Sequence, residues 1–210
     1  MNAFHTPLGF VPSLEASEWN WIKSNNYAVV LDTETMGNSQ NIEVTEITVK
    51  TLSGETIIDY LVLPDEAAKH KKLFADDKKQ SDAGKILPIR RHWQDIHAEI
   101  NQALEGKLII AYGAGFDRRV LAAQTQYKFP PDPLGERGWR CLMPLTRKFF
   151  RLKKNPSLIE ACRLMNEQLG TQSVCDTSKD AWHTASWDVD QTIKLLHFLA
   201  DQAAGNTGLR

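Results

Sequence analysis

Between Tyr27 and Leu63 the chain carries three apolar, β-branched runs joined by short turns, and this succession narrows the possible architectures more than any other feature. Tyr27 to Asp32, Ile42 to Lys50 and Thr56 to Leu63 each read as a strand. The stretch "SGE" (Ser53 to Glu55) is a tight turn between the second and third, so an antiparallel meander is expected. The period then changes. Leu87 to Leu104 sets Trp93, Ile96, Ile100 and Ala103 at helical spacing, and "KLIIAY" (Lys107 to Tyr112) reads as a short buried strand between Gly106 and Gly113. A second helix follows from Phe116, whose side chain shares a face with Val120. Ser157 and Glu160 make a capping box for a helix ending near Gly170. Val189, Ile193, Leu196 and Ala200 mark the apolar stripe of a last helix, from Thr184 to about Ala203. A meander followed by alternating helices and strands predicts an α/β fold with a mixed sheet flanked by helices.

A chain of 210 residues with 42% hydrophobic content suits a single domain, with residues 1–24 an N-terminal extension and 204–210 a frayed tail. The net charge of −1 gives no global signal for nucleic acid or a membrane surface, so any such partner must be read from local clusters. No run approaches the ~18 apolar residues that cross a bilayer, and the N-terminus lacks a cationic segment followed by an apolar one. A cytoplasmic protein without a membrane partner is expected. Cys141, Cys162 and Cys175 contain no C-x-x-C pair, which argues against a zinc ribbon and a disulfide framework; Cys162 reads as a core residue.

Four acids fall at element ends. Asp32 and Glu34, in "VVLDTETMGN", leave the first strand two residues apart and on one side of the pleat. Asp117 lies in the first turn of the helix after "LIIAYGAGF", and Asp188 in the first turn of the last helix. In an open α/β sheet, the loops beyond the carboxyl ends of neighbouring parallel strands share one crevice. Tyr27 to Asp32 and Lys107 to Tyr112 are plausible parallel neighbours, so all four acids should converge. Convergent carboxylates raise one another's pKa unless a cation sits among them, and magnesium or manganese suits such hard oxygen ligands. Taken singly, each acid has a plainer reading: a solvated strand end for Asp32 and Glu34, a helix-dipole partner for Asp117 and Asp188. Asp190 keeps that plainer reading, and His183 alone would be an ordinary loop histidine.

Together, "LDTET" (Leu31 to Thr35), "YGAGFD" (Tyr112 to Asp117) and "HTASWD" (His183 to Asp188) resemble, in order and spacing, the three motifs of the DEDDh family of 3′ to 5′ exonucleases. That family includes relatives of the proofreading subunit of bacterial replicative polymerase and of ribonuclease T. The resemblance runs from about Ala28 to Leu199, and His183, Ala185 and Asp188 match the histidine subtype. Gly113 departs from it, standing where the family usually carries asparagine. The resemblance implies a ribonuclease H-like fold with a five-stranded mixed sheet and two Mg2+ or Mn2+ ions. It makes Asp32, Glu34 and Asp188 ligands of one ion, with Asp32 also holding a second that Asp117 supports. His183 would take the proton of the attacking water, and nucleoside 5′-monophosphates would leave one at a time from single-stranded DNA or RNA 3′ ends.

The same resemblance points to Thr35, Met36 and Phe116 as contacts to the terminal nucleotide. Met36 stands where relatives carry an apolar residue against the bases; its plainer reading is a gap-filling core methionine. Two basic clusters could meet phosphates: Lys69 to Arg91, interspersed with acids, and Arg147, Lys148, Arg151, Lys153 and Lys154, which flank Phe149 and Phe150. The second is the better candidate, with Arg147, Lys148 and Arg151 as the substrate contacts. Trp93, Trp139, Trp182 and Trp187 read as core or groove-wall residues rather than stacking platforms. Two alternatives share the fold: a phosphodiesterase that clears small oligonucleotides, and a nucleic-acid or polymerase-binding module without activity. The second would be betrayed by a missing ligand, and none of the four acids is missing.

Overall fold

Alternating side chains in the first three runs close a continuous ladder. Strand β1 (Ala28–Asn38) pairs antiparallel with β2 (Asn41–Thr51), and β2 pairs antiparallel with β3 (Thr56–Leu63). The computed structural model describes residues 18, 22, 27–38, 41–64, 89–124, 138–171, 174, 175, 177 and 184–205. The turn after β2 is built as its sequence suggests: the Thr51 N–H donates to the Glu55 carbonyl at 2.8 Å, and Gly54 takes a φ of 87°, where a side chain would be strained.

The sheet has six strands among the described residues, one more than expected, in the order β4-β3-β2-β1-β5-β6. Strand β5 (Leu108–Ala111) lies parallel to β1, as the sequence suggests, through the register Ala28 to Leu108 and Val30 to Ile110. The two outermost strands were not anticipated. Arg90 and Arg91, expected within the first helix, instead form β4 (Arg90–His92), which pairs parallel with the end of β3. Both arginines are engaged there. The Arg90 Nη1 donates to the Thr45 carbonyl at 3.5 Å, and the Arg91 guanidinium lies 4.7 Å from the centre of the Tyr60 ring. The other edge is β6 (Trp139–Cys141), parallel to β5.

Five helices with described bounds flank this sheet. Helix α1 (Trp93–Leu104) and helix α2 (Ala114–Ala123) cover one face, where Trp93, Ile96, Ile100, Val120 and Leu121 pack on Val29, Leu31, Ile47, Val49 and Ile109. Helix α4 (Leu158–Leu169) and helix α5 (Ala185–Gly205) cover the other. Their Ala161, Met165, Val189, Ile193 and Leu196 pack on Ala28, Val30, Leu108 and Ile110. Helix α3 (Met143–Phe149) is short and joins this second layer through Phe149, whose ring meets Phe198 at 5.5 Å between centroids.

Helix α4 obeys its sequence signals at both ends: the Ser157 hydroxyl accepts from the Glu160 N–H, and Gly170 closes it in the left-handed conformation. Helix α5 runs to Gly205, past the expected end near Ala203. Cys162 is fully buried, as expected of a core residue. Among the described residues, no helix is long and apolar enough to cross a membrane.

Candidate metal centre

Strand β1 does not end at Asp32. It continues to Asn38 because β2 keeps pairing with it beyond the point where β5 stops, so Asp32 and Glu34 sit inside a strand rather than leaving it. A β-bulge interrupts the ladder between Glu34 and Thr35, where Thr45 of β2 is skipped in the register. Along β1, Ala28 and Val30 face the layer of α5, while Val29 and Leu31 face α1 and α2. By the same alternation Asp32 and Glu34 point to the α5 side, and Thr33 points away from it.

Asp188, in the first turn of α5, meets them there. One carboxylate oxygen from each of Asp32, Glu34 and Asp188 lies within 4.8 Å of the others, a group that could hold a metal ion. Carboxylates held this close repel one another unless a proton or a cation sits between them.

Asp117 arrives from the opposite face. It is 2% exposed, and its Oδ1 accepts from the Thr33 N–H at 3.1 Å and from the Thr33 hydroxyl at 2.9 Å. It stands beside the three-acid group without belonging to it.

The electrostatics follow from burial and like charge. Burial pushes Asp32 well above the ordinary carboxylate range, and the neighbouring Asp117, Asp188, Glu34 and Glu46 carboxylates push it further. Burial also raises Asp117 to about 7, against the hydrogen bonds from Thr33, and Asp188 to about 6. Fixed acids that resist ionisation in this way fit a hard divalent cation, whose charge offsets the repulsion.

Sequence reasoning missed two contributors on β2. Glu46 stands directly opposite Glu34 and accepts from the Ala185 N–H at 3.2 Å, which ties the start of α5 to the sheet. Burial, then the Glu34 carboxylate, raises its pKa. Lys50 is buried and donates to Asp190 Oδ1 at 2.6 Å, so Asp190 is a docking partner of the sheet rather than a plain surface acid. The regular register of β2 against β1 would have exposed Glu46, but the bulge hides that register from the sequence.

The remaining expected contacts are dispersed. Thr35 and Phe116 line one groove of about 440 Å³ together with Gly37, Ile42, Arg119 and Val120. Met36 is partly buried and belongs to neither apolar cluster. Arg147, Lys148 and Arg151 are exposed on α3 and the turn after it, outside the three-acid group. The neighbouring Phe149 packs on Phe198, which lies roughly 15 Å along α5 from Asp188 at 1.5 Å per residue. His183, Trp182 and the segment from Lys69 to Lys85 lie outside the described residues. Trp93 and Trp139 are core residues, and Trp187 is partly buried. No protein-family model matches the chain, and no curated protein is detectably similar to it.

Proposed function

We propose that the chain is a metal-dependent 3′ to 5′ exonuclease of the DEDDh type, on a ribonuclease H-like fold, that releases nucleoside 5′-monophosphates from single-stranded DNA or RNA ends. One observation carries this reading. Asp32 and Glu34 of β1 and Asp188 of α5, far apart in sequence, present carboxylate oxygens within 4.8 Å of one another, with Asp117 buried alongside.

Two Mg2+ or Mn2+ ions bound there would stabilise the attacking and leaving oxygens of an in-line displacement at phosphorus. Asp32, Glu34 and Asp188 would hold one ion, and Asp32 with Asp117 the other. With its Oδ1 engaged by Thr33, Asp117 has Oδ2 to offer. His183, two residues before the anchored Ala185 N–H, takes the proton of the attacking water. The groove beside Thr35 and Phe116 takes the terminal nucleoside, and its apolar wall suits a base while Arg119 offers charge at the rim. Arg147, Lys148 and Arg151 attract the phosphates of the strand behind it without reading sequence.

The test is a product-resolved digestion of matched 3′-labelled and 5′-labelled DNA and RNA oligonucleotides, single-stranded and duplex, with Mg2+, Mn2+ or EDTA. Release of mononucleotides from the 3′ end in either metal, and none in EDTA, is the expected result. Internal cleavage, or digestion that proceeds in EDTA, would refute the proposal. Digestion restricted to the shortest oligonucleotides would move the assignment to a small-oligonucleotide phosphodiesterase.

A further inference from the structure

Asp188 reaches β1 from a helix whose seat on the sheet is fixed by polar contacts on either side of it. Ahead of it, the Ala185 N–H donates to Glu46 at 3.2 Å; behind it, Lys50 Nζ donates to Asp190 Oδ1 at 2.6 Å. Glu46 and Lys50 both belong to β2, four residues apart and therefore on one face of the strand. The Lys50 side chain is only 8% exposed, whereas that of Asp190 is 44% exposed. A buried ammonium deprived of its partner is strongly unfavourable, so Lys50 holds α5 where Asp190 stays within reach. Asp188 lies two residues from Asp190, about half a helical turn, and cannot shift independently of it.

We propose that Lys50 is a positioning residue for the metal centre: through Asp190 it sets the depth at which α5 seats on β2, and so brings the Asp188 carboxylate to those of Asp32 and Glu34. The inference rests on the reading of those three acids as an ion site. It also makes a prediction of unusual sign. By Coulomb's law alone, removing a positive charge near an acidic centre should tighten cation binding. Loss of positioning should loosen it.

The experiment is Mn2+ titration by calorimetry, with thermal melting in EDTA, on the wild-type protein, Lys50→Met, Lys50→Arg and the double variant Lys50→Met/Asp190→Leu. The double variant leaves no unpaired buried charge and the same net charge, so it decides the question should Lys50→Met not fold. Residues that orient metal ligands typically contribute 10- to 100-fold in affinity, and a loss of about tenfold or more is expected in Lys50→Met and in the double variant. Lys50→Arg, which keeps charge and reach, should bind close to wild type. Unchanged or tighter Mn2+ binding in the folded Lys50→Met or double variant overturns the inference, as does a lowered melting temperature with wild-type affinity. A wild-type protein that binds no Mn2+ overturns the site reading as well, which separates the two failures.

Discussion

Asp117 offers the sharpest test of the electrostatic picture, because burial acts on it almost completely. Burial lifts its pKa from 3.8 to about 7, the Glu34 carboxylate adds to the rise, and the hydrogen bonds from Thr33 oppose it. A folded-state pKa above the unfolded one means that the native state binds this proton more tightly. The contribution to stability is therefore full below about pH 4 and is lost as pH rises through 7. Across that shift the loss is roughly 4 kcal/mol in the metal-free protein. Asparagine keeps an oxygen for the two Thr33 donors and carries no charge. Asp117→Asn should therefore raise the melting temperature in EDTA at pH 8 by on the order of 10 °C, at about 2–4 °C per kcal/mol for a chain of this size. At pH 5 the gain should fall to less than half, because the wild-type carboxyl is then largely protonated in the native state. Adding Mn2+ should stabilise the wild type more than the variant and narrow the gap. Scanning calorimetry at both pH values, with EDTA and with Mn2+, reads all of this. A shift of equal size at pH 5 and pH 8, or destabilisation at pH 8 in EDTA, would refute the reasoning.

Asp32→Asn and Asp188→Asn should each lower 3′ to 5′ digestion by orders of magnitude while circular dichroism shows the fold intact; full activity of either in Mg2+ would sink the assignment. His183→Ala should lower turnover at neutral pH by roughly 10²- to 10⁴-fold and leave Mn2+ affinity near wild type, as kinetics and calorimetry together would show. A loss of affinity as severe as that of Asp188→Ala would end the general-base role. Met36→Ala should weaken digestion of short single-stranded ends with little change in melting temperature, since Met36 belongs to neither apolar cluster. Lost stability with unchanged kinetics would return Met36 to the core.

What the sequence discloses depends on how local the governing physics is. The β1–β3 meander was legible because period-two alternation and the Gly54 turn act within a few residues, and α4 because Ser157, Glu160 and Gly170 cap it by short-range hydrogen bonds. Strands β4 and β6 carry three residues each, too few for a period, and Arg90 and Arg91 resemble helix-surface residues until the edge of β3 is placed beside them. The convergence of Asp32, Glu34 and Asp188 was readable from the parallel pairing of β1 with β5 and the place of Asp188 in the first turn of α5, although β1 runs on past Asp32 instead of ending there. The separate seat of Asp117 was not, because it depends on which face of β1 Thr33 occupies. Glu46 and Lys50 escaped for a related reason: a charged residue in a strand shows its purpose only through its partner across the sheet or on the helix above.

The order in which the chain is made gives the late position of α5 a consequence for the acidic group. Asp32 and Glu34 are synthesised early, yet Asp188 follows about 150 residues later, on the helix that covers their face of the sheet. A growing chain that has not yet added α5 has two acids on an uncovered strand and no third to complete the group. On the proposed reading, the ion site therefore forms only when the fold is finished. An ion bound at the completed centre would then add a further link between β1 and α5 to the apolar packing and polar contacts that already seat the helix.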